Sequence, residues 1–161
     1  MGRCKEGIPE HGYLYNIPYR DGMADDFFST RWFVNTWNML FPDKKVTGVK
    51  EIALRASNGD NNAQSLFENF ASNFVEFITP FLLNFKPEKL IIGGNIAKAS
   101  DFFLDNIQFQ LKKLNLITKI DICKLWDMSP LIGSAIYTSN ILENMENTKE
   151  KRHTQQFIAP T

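Results

Sequence analysis

Cysteine is scarce in this chain. Cys4 and Cys123 stand far apart and form no Cys-x-x-Cys pair, so the sequence writes neither a disulfide framework nor a zinc knuckle. That usage fits a reduced, cytoplasmic setting. An excess of one charge is lacking too: 18 Lys+Arg face 18 Asp+Glu, without a basic stripe. DNA and RNA are therefore not expected partners. No apolar run is long enough to span a bilayer, since Ile78 to Phe85, the longest, is interrupted by Pro80 and Asn84. The start Met1-Gly2-Arg3-Cys4-Lys5-Glu6 carries no apolar signal-peptide segment, and Glu6 occupies the place where a myristoylation signal needs Ser or Thr. Membrane insertion is not expected. Internal repeats and low-complexity tracts are missing as well.

What is present is a chain of 161 residues, the size of one ordinary domain that buries roughly 70% of its unfolded surface. Residues 1 to 25 mix glycine, proline and aromatics without a period. Leu14-Tyr15-Asn16-Ile17 fits a short edge strand stopped by Pro18, with a turn at Arg20-Asp21-Gly22. Glu10, His11, Asp21, Asp25 and Asp26 crowd this segment; Asp25 or Asp26 suits an N-cap for the next helix, a role that leaves Glu10 unexplained. Phe27 to Leu40 has helical spacing and is closed by Pro42. A second, short helix starts near Val46 and stops near Ser57-Asn58-Gly59, after which Asp60 caps a third.

That third helix, roughly Asn61 to Leu83, places Leu66, Phe67, Phe70, Phe74, Phe77, Ile78 and Phe81 on one face. Burying such a face is worth about ten kcal/mol or more before chain entropy is counted. It is the expected structural spine, and its width also suits a subunit contact.

The chain is organised around Leu90-Ile91-Ile92-Gly93-Gly94-Asn95-Ile96, an apolar run, two glycines and an asparagine, followed by a helical pattern from Ala97 to Leu114. A buried strand feeding a tight turn and a helix is where α/β folds put ligands, because glycines let backbone N–H groups approach a phosphate or ribose and a helix start adds partial positive charge. The same residues fit a plain connection that binds nothing. Thr118 to Cys123 alternates as a second strand, and this order implies a parallel pair joined by a right-handed crossover. Asp127-Met128-Ser129-Pro130 opens a last helix with Gly133-Ser134-Ala135 one turn in, and a polar tail follows from Asn147.

Lys86 to Ile96, the helix and strand after it, and Ser129-Pro130-Leu131-Ile132-Gly133-Ser134-Ala135 resemble the C-terminal half of the ROK family of sugar kinases, many glucokinase-like, and sugar-responsive repressors. Glu10-His11-Gly12-Tyr13 is similar to the family's sugar motif Glu-x-Gly-His, and Asp25-Asp26-Phe27-Phe28-Ser29 to its Glu-x-Tyr-x-Ser segment. The resemblance implies an α/β fold: the C-terminal lobe of an actin-like (ribonuclease H-like) ATPase, helix-rich with a small, mostly parallel sheet. It implies that Glu10, Tyr13 and Asp25 bind sugar, glucose or a related hexose, and that Gly93, Gly94 and Asn95 contact the adenosine part of ATP, with Gly133 bordering that pocket. Residues 1–147 would form the lobe, with a sugar-site loop and edge strand over 1–25, a helical part over 26–85 and a nucleotide part over 86–147; residues 148–161 would be a tail. The implied partners are the hexose, a missing N-terminal lobe and a second copy in a homodimer, with ATP and Mg as cofactors in the complete protein.

Departures limit what carries over. The family's cysteine-rich zinc motif is absent between Tyr13 and Asp25, so no structural zinc is expected, and Tyr13 replaces the motif's histidine. The Asp-x-Gly-Gly-Thr phosphate loop, the Asn-Asp pair with the catalytic aspartate and the Gly-Thr-Gly turn are all missing from the chain. Phosphoryl transfer depends on such parts, so these residues alone are expected to bind but not to catalyse. The alternatives are the sugar-sensing half of a repressor and a stand-alone dimerisation or sugar-binding module.

Overall fold

The computed structural model describes residues 12–125 and 128–141. The chain divides after Lys124 into two units, Met1–Lys124 and Leu125–Thr161.

The first unit begins with a hairpin in which β1 (Pro18–Tyr19) pairs antiparallel with β2 (Gly22–Met23). The strand expected over Leu14–Ile17 is instead a turn, closed by the Ile17 N–H donating to the Leu14 carbonyl at 3.3 Å. Pro18 opens the strand rather than stopping it, as a residue without an N–H can at a strand's first position. Arg20, in the left-handed region with φ 53°, turns the hairpin.

The helix expected over Phe27–Leu40 is two helices, α1 (Ala24–Phe27) and α2 (Thr30–Leu40), because Ser29 between them is extended at φ −111° and ψ 164°. Asp26 caps from inside α1, its Oδ2 accepting the Met23 N–H at 3.0 Å. The next helix, α3 (Val49–Ser57), starts later than Val46. Val46 is held in the preceding loop by Asn38, whose side chain accepts from its N–H at 2.7 Å and donates to its carbonyl at 3.0 Å.

Asp60 caps α4 (Asn61–Phe85) as expected, its Oδ1 accepting from the N–H groups of Asn62 and Ala63. Leu66, Phe67, Phe70, Phe77 and Ile78 are buried along it, while Phe74 and Phe81 are half-buried. Phe33 and Trp37 of α2 pack on this spine, with the Phe33 and Phe67 ring centroids 4.9 Å apart. Lys86 ends α4 in the left-handed region at φ 49°, donating its N–H to the Leu82 carbonyl.

Beyond it β3 (Lys89–Ile92) pairs with β4 (Lys119–Ile122), parallel and in register from Lys89 with Lys119 to Ile92 with Ile122. The strand pair follows the sequence reading, but β3 is not a buried strand. Leu90 and Ile92 turn toward the core while Lys89 and Ile91 are exposed, because β3 and β4 form a two-stranded sheet packed on one face within the first unit. The long helix expected from Ala97 to Leu114 is also divided, into a 3-10 helix over Asn95–Phe102, kinked at Ala99, and α5 (Leu104–Lys113). Packing explains the break. Phe102 stacks on Phe67 at 5.0 Å and Phe103 meets Phe70 edge-on at 5.1 Å, and holding both contacts takes Phe103 out of helical backbone.

In the second unit a helix runs over 129–141, with the Ser134 hydroxyl donating to the Pro130 carbonyl at 2.8 Å. Asp127, proposed to cap it, and the tail lie outside the described residues. Among the described residues no helix is long and apolar enough to cross a membrane.

Candidate functional site

The glycine turn leaves the C-terminal end of β3. Gly94 stands at φ 76° and ψ −175°, a conformation that side chains with a Cβ resist, so glycine is required there by the backbone itself. Gly93 is under less constraint: a Cβ at its position would lie 3.5 Å from the Cys123 Cβ, an ordinary contact. Asn95 then opens the 3-10 helix, its Oδ1 accepting from Lys98 Nζ at 2.9 Å.

Asn95 and Lys98 border a cleft of about 820 Å³ whose other walls are the first turns of α2 and α3. The volume falls within the range of small-molecule sites, about 300–1,000 Å³. Val34, Val49, Ala53 and Ala99 give it an apolar floor, while Arg31, Lys50 and Lys98 supply positive charge; among the described residues its lining carries no carboxylate. The α3 end of the cleft is fixed by Glu51, whose Oε1 accepts from the Thr47 hydroxyl at 2.7 Å and the Thr47 N–H at 2.9 Å. Those bonds, the hydroxyl's first, hold the Glu51 carboxyl below the usual carboxylate range. A partly apolar ligand with an anionic end matches this lining.

Asp25 lies in the first turn of α1, its N–H donating to the Tyr15 carbonyl at 2.9 Å and its Oδ2 paired with Arg31 Nη2. The Tyr15 contact ties the segment carrying Tyr13 to α1. Tyr13 itself is exposed, with its ring centroid 5.7 Å from that of Tyr15. Of the residues expected to hold sugar, Glu10 lies outside the described residues. Of those expected at the nucleotide, Asn95 reaches the cleft directly after the two glycines, whereas Gly133 sits exposed on the helix of the second unit. Sequence reasoning missed Arg31, Thr47, Gly48, Lys50 and Lys98. Isolated basic residues on three separate elements read as ordinary surface charge, and only Thr47-Gly48 ahead of a helix with Glu51 gave a local signal, that of a helix start.

A family model described as the ROK family matches residues 21–140. The chain belongs to the ROK family. This ROK match takes in Asp25, the glycine turn, the whole cleft and Gly133, while Glu10 and Tyr13 precede it. Membership places the chain among sugar kinases and sugar-responsive repressors. No curated protein and no solved structure matches it.

Proposed function

We propose that this chain is the C-terminal lobe of an ATP-dependent hexose kinase with an actin-like fold, binding the sugar and the adenosine end of ATP. The observation that carries this reading is that Asn95, directly after Gly93 and Gly94, lines a cleft together with Arg31, Lys50 and Lys98, the two glycines themselves standing outside the lining. Adenosine would lie along the apolar floor beside Asn95, with the phosphates toward the cations. Glu10, Tyr13 and Asp25 would hold the hexose, a carboxylate being suited to accept from adjacent hydroxyls. A second copy would pair with this one in the complete protein.

In phosphoryl transfer magnesium neutralises charge developing on the phosphates. Among the described residues no three His, Cys, Asp or Glu side chains stand together to hold such an ion. On this reading these residues bind and orient, while the catalytic aspartate and the phosphate loops, whose motifs the sequence does not carry, would come from an N-terminal lobe.

Titrating the purified chain with ATP, followed by calorimetry, tests the reading. Saturable binding that weakens when Lys98 is replaced by Ala, with no glucose-dependent ADP release, is the expected result. Sugar-dependent ADP release would show that the chain is catalytically complete. Sugar binding without any ATP binding would favour the repressor half or a stand-alone sugar-binding module.

A further inference from the structure

Arg31 belongs to both halves of the proposed site. Arg31 is among the residues lining the cleft, and its Nη2 is paired with Oδ2 of Asp25, the carboxylate assigned above to the sugar. Neither side chain is buried, with 68% of Arg31 and 50% of Asp25 exposed. Exposed pairs of this kind are weak, so a competing anion can redistribute the bond. The guanidinium fork carries five N–H donors, and the bond to Asp25 leaves donors for an oxyanion in the cleft. A carboxylate in turn offers two oxygens, one of which Arg31 engages.

The geometry points to Arg31 as a positioning residue that couples occupancy of the cleft to sugar binding at Asp25. This rests on the site reading above. With the cleft empty, Arg31 engages Oδ2 and leaves Oδ1 as the unshared acceptor. A phosphate in the cleft draws the guanidinium toward itself, and Asp25 then presents both oxygens to adjacent sugar hydroxyls. Nucleotide therefore tightens sugar binding, and by linkage sugar tightens nucleotide binding by the same factor. Because the bond being exchanged is exposed, the factor sits at the low end of allosteric couplings, about fivefold or less.

The test measures the glucose dissociation constant of the full chain by calorimetry, with and without saturating ATP, in wild type, Arg31→Ala and Arg31→Lys. The wild-type ratio is expected at about three- to fivefold, falling to about one in both variants. The lysine variant keeps the charge but has no fork with which to serve two oxyanions, so a merely structural or electrostatic role predicts rescue where coupling predicts none. Thermal midpoints within a degree or so of wild type accompany the expected result, since an exposed pair carries little stability. A wild-type ratio of one, an undiminished ratio in Arg31→Ala, or rescue by Arg31→Lys overturns the coupling while leaving the site reading intact. If glucose or ATP fails to bind the wild-type chain, the site reading falls and the coupling with it.

Discussion

Gly94 illustrates how one residue can be dictated by backbone rather than by space, since nothing lies within 4 Å of where its Cβ would stand. Gly94→Ala is expected to cost about 1–3 kcal/mol through strain alone; a melting temperature equal to wild type would show that the turn relaxes freely. A second residue-scale device joins the hairpin to α4. The Tyr19 hydroxyl donates to Glu76 Oε2 at 2.9 Å, and Arg20 Nη2 donates to the same oxygen at 2.7 Å. Burial first, and then the bond to Glu76, push the Tyr19 phenol up to about 12. Arg20 first, and then Tyr19, hold the Glu76 carboxyl below its ordinary value. The raised phenol contributes stability that is intact below its unfolded pKa of about 10 and is lost as pH climbs through the folded value. The depressed carboxyl contributes stability that is present above an unfolded value of about 4.3 and is lost as pH falls through its folded value. Ultraviolet titration of Glu76→Gln should therefore find Tyr19 ionising at lower pH than in wild type. An unmoved midpoint would mean that burial alone sets it.

Among the elements, α4 dominates. Phe70, only 3% exposed, meets the rings of Phe28, Trp32, Phe33, Phe74 and Phe103. Phe70→Ala should cost about 3–5 kcal/mol, most of the stability of a marginal domain, as read by the urea midpoint. Asp60→Ala removes two bonds to N–H groups at the start of the same helix and should cost about 1 kcal/mol. Periodicity made α4 and its cap legible, because an apolar stripe and a capping carboxylate are local signals. It failed at Phe103, where tertiary ring packing outweighs helical preference over a single residue, and at Ser29, whose extended backbone no local signal marks. It failed also at Pro18, whose lost donor matters only inside a ladder, and at Val46, pinned by a side chain eight positions earlier.

For the whole molecule, the turn before Asn95 was legible because two glycines after an apolar run advertise a special backbone. The cleft was not, since α2, α3 and the 3-10 helix form it only after they pack on α4. Arg31 joins Asp25 to that cleft across a helix break that the spacing did not reveal. The β3–β4 ladder has the same dependence on prior assembly, with a consequence in time. Its register joins Lys89 to Lys119, so the intervening segment that carries the 3-10 helix and α5 must loop back before the first rung closes. With Ile91 63% exposed, apolar burial secures the ladder on one face only, through Leu90, Ile92 and Ile120. Its amide protons should therefore exchange with deuterium sooner than those of α4, through local opening rather than global unfolding.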